Sequence, residues 1–303
     1  MIDLEKLLKK ARQNLVGKDD KVTLALCAVL AQGHVLIEDL PGVGKTTLAK
    51  TIGSLFELRL NRVQFTNDIL PSDIVGTSIF SKEEGSFNFH QGPIFGDIIL
   101  ADELNRAPAK TQSALLQAME EKKVTVDGEN YQLSNNFIVF ATQNPSSQIG
   151  TFDLPESQLD RFCFKFNIGY PDKSSSINMF KSNLGKKFVE ISSELNSSDL
   201  TKIRTQIEKI HIDDSLYDYI YRLLDFSRTS ASYQPLSNRC GLDLVKSSKA
   251  YAYLQNRDYV TPDDLQFLFP YIAGHRLVSS SNASITAEHT KSNELLANVD
   301  LRP

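Results

Sequence analysis

The stretch DLPGVGKTT, residues 39–47, decides the fold. An apolar run at residues 35–37 precedes it, and a helical pattern over residues 46–56 follows it. A strand, a glycine-rich turn and a helix N-terminus together make a cradle of backbone N–H groups that holds phosphates. In such a loop Lys45 reaches the β- and γ-phosphates and the Thr46 hydroxyl binds Mg²⁺. The full pattern has glycine where this chain has Asp39. Gly42 and Gly44 remain, flanking the phosphate path, where a Cβ would block close backbone approach. The expectation is a site for a nucleoside triphosphate.

Outward from this loop, strand-like runs at residues 35–37, 60–65, 98–101, 137–141 and 162–166 are separated by helical patterns, notably over 20–31, 46–56 and 109–121. Strands alternating with helices specify a parallel sheet covered on both faces. Two hairpin signals interrupt the alternation, residues 78–92 around Glu84-Gly85 and residues 124–133 around Asp127-Gly128. After Tyr170-Pro171 the pattern turns helical. Ile203, Ile207 and Ile210 mark one apolar stripe, and Leu216, Tyr219, Ile220, Leu223 and Leu224 mark another. Thr261-Pro262 followed by Asp263-Asp264 reads as a helix start, with Thr as N-cap and acids in the first turn. A serine-rich loop at 279–284 precedes a last short helix near 288–299. Two domains are expected: an α/β nucleotide-binding core over residues 1–170 and a helical domain with a C-terminal tail over 171–303.

With 303 residues, 41% hydrophobic and 23% charged, the chain has ordinary globular composition and enough length for a sizeable core. A net charge of −4 disfavours nucleic acid as the main partner, because nucleic-acid backbones select basic surfaces. Cys27, Cys163 and Cys240 are odd in number, far apart and without CxxC spacing, as expected of buried thiols in a reducing compartment. The five histidines show no metal-ligand spacing. The N-terminal segment is amphipathic, contains acids and lacks the apolar stretch of a secretory signal. No run approaches the roughly 18 apolar residues of a membrane span. A soluble, cytoplasmic protein without membrane insertion is expected.

Two further motifs bear on chemistry. Residues 98–103, IILADE, read as an apolar strand ending in two acids at the sheet edge where α/β ligands bind. Asp102 would hold Mg²⁺ through water, and Glu103 would orient and deprotonate an attacking water. Residues 137–145, FIVFATQNP, bring a second strand to the same edge. There Asn144 can donate to the γ-phosphate. By itself an Asn before Pro is a turn former, so this reading gains weight only beside the other two motifs.

The strings GHVLIEDLPGVGKTTLAK, LPSDIVGTSIF, GPIFGDIILADELNRAPAKTQSALLQAMEE, KVTVDG, ATQNP, LPESQLDRF, RDYVTPDDL and GHRL occur in this order over almost the whole chain. In them the chain resembles the MoxR family of AAA+ ATPases. That resemblance implies an AAA+ P-loop core with a five-stranded parallel sheet of order 5-1-4-3-2, β-hairpin inserts, an α-helical lid, and assembly into a ring, usually a hexamer. It makes Pro41, Gly42, Val43, Gly44, Lys45, Thr46 and Thr47 the Walker A loop that binds ATP. Asp102 and Glu103 become Walker B, with Thr46 and Asp102 serving Mg²⁺, and Asn144 becomes sensor 1. Arg161, in LDRF, matches the arginine finger that reaches a neighbouring subunit's γ-phosphate. Arg239 matches sensor 2 on the lid, although its flanks, PLSNRC at 235–240, depart from the GASPRA-like string of the family. Val16 and Gly17 match the segment that lines the adenine. Arg106 is either a second interface arginine or a salt-bridge residue. Asp39 is a common family variant of the loop.

The resemblance implies a ring ATPase with a chaperone-like role, which remodels or activates client proteins, often with von Willebrand factor A domains. A nucleotide-gated switch with weak hydrolysis is the alternative, and the intact Glu103 speaks against it. A nucleic-acid motor would need basic hairpin tips, whereas these read KEEGS and DGEN. A small-molecule kinase would need its own substrate lid, and the helical half fits an AAA+ lid better.

Overall fold

The computed structural model describes residues 4–144, 152–174, 176–177, 191, 195–278 and 283–301. Five parallel strands form the main sheet: β1 (Val35–Glu38), β2 (Leu60–Gln64), β5 (Ile98–Asp102), β8 (Ile138–Gln143) and β9 (Phe164–Phe166), in the spatial order β2-β5-β8-β1-β9. Counted along the core strands alone, this is the order 5-1-4-3-2 expected from the resemblance. The register sets Leu36 beside Ala141 on one side and Lys165 on the other. The central strands are apolar almost throughout, as a sheet covered on both faces requires.

Alternate residues serve opposite faces. Val35, Ile37, Ile98, Leu100, Ile138 and Phe140 belong to the apolar cluster that contains α2 (Asp19–Leu30) and α3 (Lys45–Leu55). Leu36, Ile99, Ala101, Val139 and Ala141 join the cluster of α5 (Ala109–Glu121). Both clusters follow from the period of two along a strand. Helix α1 (Leu4–Asn14) packs against α3.

Two hairpins project from this core. The first, β3 (Gly76–Ser81) with β4 (Ser86–Gln91), follows the short α4 (Pro71–Val75) and turns at the predicted Gly85. The second, β6 (Lys123–Val126) with β7 (Glu129–Gln132), turns at Asp127-Gly128. Both turn residues have positive φ, 50° and 85°, the conformation that a two-residue hairpin loop demands. Phe89 stacks on Tyr131 with ring centroids 3.9 Å apart, joining the hairpins.

After the short α6 (Glu156–Leu159) and β9, the described chain is helical: α7 (Ser197–Glu208), α8 (Asp214–Thr229), α9 (Asn238–Leu254), α10 (Pro262–Ala273) and α11 (Ile285–Asn298). The predicted start of α10 holds, with the Thr261 N–H donating to the Asp264 carboxylate at 2.8 Å. The stripes on α7 and α8 share one apolar cluster with Val22–Val29 of α2, so the helical half is packed onto the α/β half. Residues 145 and 279–282, part of the ATQNP motif and of the serine-rich loop, lie outside the described residues. All three cysteines are buried and unpaired. Among the described residues no helix is long and apolar enough to cross a membrane.

Candidate functional site

The phosphate loop runs from the end of β1 into α3. Its positive φ values fall on Gly42 (85°) and Gly44 (103°), the two positions where glycine is needed. Gly44 is the N-cap of α3, so the first N–H groups of the helix open into a cavity. That cavity, about 410 Å³, is lined by Pro41, Gly42, Gly44, Lys45, Thr46, Thr47, Arg62, Gln64, Asp102, Glu103 and Asn144. Val43, the remaining residue of the loop, is buried. A second cavity of about 310 Å³, lined by Gly17, Lys18, Asp19, Asp20, Lys21 and Ile168, lies where the adenine was expected. Gly17 reaches it, whereas Val16 is exposed and is not part of its lining.

Asp39 has its own explanation. Its backbone needs no positive φ, and its carboxylate bridges the loop to the chain beyond β9. Oδ2 accepts hydrogen bonds from the N–H groups of Ile168 (2.7 Å) and Gly169 (2.6 Å), just beyond β9. Oδ1 accepts from the Leu40 N–H at 3.0 Å. The Asp39 carbonyl accepts from Lys45 Nζ at 2.7 Å. Burial lowers the pKa of the Lys45 ammonium below its ordinary value, opposed by Asp102, Asp39 and Glu103.

Asp102 ends β5, and Glu103 follows it in a left-handed conformation, φ 58°, which non-glycine residues adopt rarely. Both acids are fixed by neighbours. Thr142, fully buried on β8, donates to Asp102 Oδ1 at 2.6 Å and accepts from the Glu103 N–H at 2.9 Å. Arg62 Nη2 pairs with Asp102 Oδ2 at 2.7 Å. Gln64 Nε2 donates to Glu103 Oε2 at 3.0 Å, and Arg106 pairs with the same oxygen at 3.2 Å. Asn144 Nδ2 donates to Glu103 Oε1 at 3.3 Å. Arg106 is therefore a salt-bridge partner within its own chain.

Thr142, Arg62 and Gln64 are the residues that the motifs did not single out. Thr142 was inside the ATQNP string but unassigned. Arg62 and Gln64 alternate on one face at the end of β2, a period-two polar signal on a strand reaching the ligand edge.

The donor set suits Mg²⁺. Thr46 and Asp102 offer hard oxygens to one cavity, and among the described residues no cluster of three His, Cys, Asp or Glu side chains forms a cage. Mg²⁺ is typically held by one or two protein oxygens together with substrate phosphates and water.

Arg161 and Arg239 line neither cavity. Arg161 Nη1 lies 2.5 Å from Glu120 Oε2 at the end of α5, and Arg239 Nη2 lies 2.7 Å from Glu120 Oε1. Arg239, which the resemblance makes sensor 2 on the lid, is carried by the first turn of α9 to the same carboxylate as Arg161. The lid is anchored there by other groups. Asp160 accepts from Ser237 Oγ at 3.0 Å, and the buried Arg276 bridges Asp160 (2.9 Å) and Asp243 (2.7 Å). Beside β1, the buried Lys165 ammonium sits between Glu38 (3.0 Å) and Glu288 of α11 (2.6 Å), and Gln143 also donates to Glu38.

Comparison with known proteins agrees with this geometry. Residues 34–164 match the ATPase family associated with various cellular activities (AAA), and residues 227–296 match the AAA lid domain. YeaC of Bacillus subtilis strain 168 is 44% identical over 286 residues, covering 91% of this chain and 88% of that protein. Chaperone MoxR1 of Mycobacterium tuberculosis is 34% identical over 290 residues, covering 92% of this chain and 77% of the relative. A crystal structure of a candidate ATPase from Cytophaga hutchinsonii superposes with a TM-score of 0.87 at 35% identity, over 98% of this chain and 94% of that one. The P-loop, the paired acids, the sheet order and these relatives converge: the chain belongs to the MoxR family of AAA+ ATPases.

Proposed function

We propose that this chain binds ATP with Mg²⁺ in the loop of residues 41–47 and hydrolyses it at the interface between subunits of a ring. The observation that carries the reading is a division of labour. Lys45, Thr46, Asp102, Glu103 and Asn144 surround one cavity, while Arg161 and Arg239 stand together away from it on Glu120. A site with its acids, metal oxygens and lysine in one place and a pair of arginines on a surface carboxylate elsewhere reads as half of a phosphoryl-transfer site. Lys45 and the N–H groups of α3 bind the phosphates. Thr46 and Asp102 would hold Mg²⁺, which when bound would supply positive charge beside the phosphates. Glu103, steadied by Gln64, Arg106 and Asn144, orients the attacking water and takes its proton. Arg161 and Arg239 of an adjacent copy supply positive charge at the γ-phosphate, and a finger of this kind is worth about 10³–10⁵ in rate.

The test is complementation. Arg161→Ala keeps a whole cavity and lacks the finger, whereas Glu103→Gln keeps the finger and lacks the base. Each alone is expected to be nearly inactive, and mixing them is expected to restore turnover. No recovery in rings shown to be mixed would rule out the shared site.

We assign to the ring, a hexamer in this reading, the remodelling or activation of client proteins in the cytoplasm, with proteins bearing von Willebrand factor A domains as candidate partners. The name of the mycobacterial relative, a chaperone, supports this. So do Phe80 and Phe87, which pair across the first hairpin and are 51% and 72% exposed, since large exposed aromatic surface is a mark of protein contacts.

A further inference from the structure

We infer that Glu120 is the positioning residue that gathers Arg161 and Arg239 into one cationic pair for the neighbouring subunit's triphosphate; this rests on the shared-site reading above. The two carboxylate oxygens are divided, Oε2 to Arg161 at 2.5 Å and Oε1 to Arg239 at 2.7 Å. Arg161 comes from the loop before β9 and Arg239 from the first turn of α9, so one side chain of α5 joins a core arginine to a lid arginine. Two guanidinium groups brought this close repel each other, and a carboxylate between them removes that cost.

The remaining contacts define what Glu120 alone contributes. Arg161 Nη1 also donates to the Leu116 carbonyl at 2.7 Å, which tethers it to α5. Among the described residues, Arg239 has a 4.0 Å approach to Asp160 besides its pair with Glu120. Lid docking itself does not need Glu120, because Asp160, Ser237, Arg276 and Asp243 carry it. Losing Glu120 therefore leaves the lid seated, Arg161 half-tethered and Arg239 without a strong partner among the described residues. Glu120 and Arg239 are both partly exposed, so the pair is open to an incoming anion. The γ-phosphate offers several oxygens to a pair of guanidinium groups, a geometry that favours arginine over lysine.

Glu120→Gln keeps the size of the side chain and removes its charge. Nucleotide affinity of its own cavity, measured with a fluorescent ATP analogue, is expected to be unchanged, which also reports that the variant is folded. Turnover in the assembled ring is expected to fall roughly a hundredfold, the scale of a small misplacement of reacting groups. Mixing with Glu103→Gln is expected to restore activity, because those subunits present an intact arginine pair. In an Arg161→Ala/Arg239→Ala background, Glu120→Gln is expected to add nothing, as residues acting through one another do not add. Full activity of Glu120→Gln alone, failure of complementation where Arg161→Ala is complemented, or a further loss in the double-alanine background would each overturn the inference. If Arg161→Ala is itself not complemented, the shared-site reading fails instead.

Discussion

Replacing Asp39 by glycine restores the full phosphate-loop pattern, and the structure predicts that this harms the protein. Asp39 Oδ2 receives two long-range N–H donors, Ile168 at 2.7 Å and Gly169 at 2.6 Å, and the residue is 8% exposed. A hydrogen bond to a charged group contributes about 1.5–3 kcal/mol net. Water can take over the half-buried Gly169 N–H in the variant, whereas Ile168 is buried and its N–H loses its partner. The added glycine also costs about 0.4–1 kcal/mol through the unfolded chain. Asp39→Gly is therefore expected to lose about 2–4 kcal/mol in urea unfolding at neutral pH. Asp39→Asn keeps an acceptor oxygen without the charge and is expected to lose about half as much. Nucleotide affinity is not expected to rise in either variant, because the positive φ values that the loop needs already sit on Gly42 and Gly44. An Asp39→Gly protein within about 0.5 kcal/mol of the parent, or one that binds ATP more tightly, would refute the reasoning.

Three other outcomes are expected. Lys165→Met leaves Glu38 and Glu288 without the cation between them and is expected to cost about 3–5 kcal/mol. Burial already raises the Glu288 pKa, so protonation relieves the variant, and its deficit relative to the parent is expected to be smaller at pH 5 than at pH 8. Equal deficits in urea melts at the two pH values would contradict this. His34 accepts the Val139 N–H at Nδ1 (3.0 Å) and donates from Nε2 to the Met119 carbonyl (3.2 Å), and burial pushes its pKa from 6.5 down to about 4. The unfolded chain then binds the extra proton between those values. Stability present above pH 6.5 is expected to be lost as pH falls towards 4, by about 3 kcal/mol from this residue. His34→Gln is expected to flatten that part of the stability curve, and an unchanged curve would exclude the assignment. A Cβ at Gly92 would collide with the Ile74 carbonyl oxygen and the Gly76 nitrogen at the base of the first hairpin. Gly92→Ala is expected to accelerate amide exchange over residues 76–91 while β5 and β8 keep their protection, and uniform loss of protection would count against a local effect.

The elements legible in the sequence are those written in local pattern. The P-loop, the apolar strands, both hairpin turns and the start of α10 depend on neighbours a few residues apart, through φ preferences, side-chain period and capping. Even the sheet order was available, because the motifs occur together and resemble a family with that order. Strand ends shifted by a residue or two: the fourth strand begins at Ile138 and continues to Gln143, since its polar end still pairs with β1.

What the sequence determined by itself was the kind of site, a phosphate cradle with two acids and a polar strand end behind it. Tertiary structure decided the partners of those groups. Thr142 under both acids, Arg62 on Asp102, Asp39 on the chain beyond β9 and Glu120 between two arginines each join residues dozens of positions apart. Such pairings arise from how strands are ordered and how the lid is seated, and a side chain's best partner is whatever opposite charge or unpaired donor the packing brings within about 3 Å. Asp39 shows the difference most plainly. In the sequence it is a missing glycine, and in the fold it is a carboxylate that ties the phosphate loop to the lid's side of the sheet.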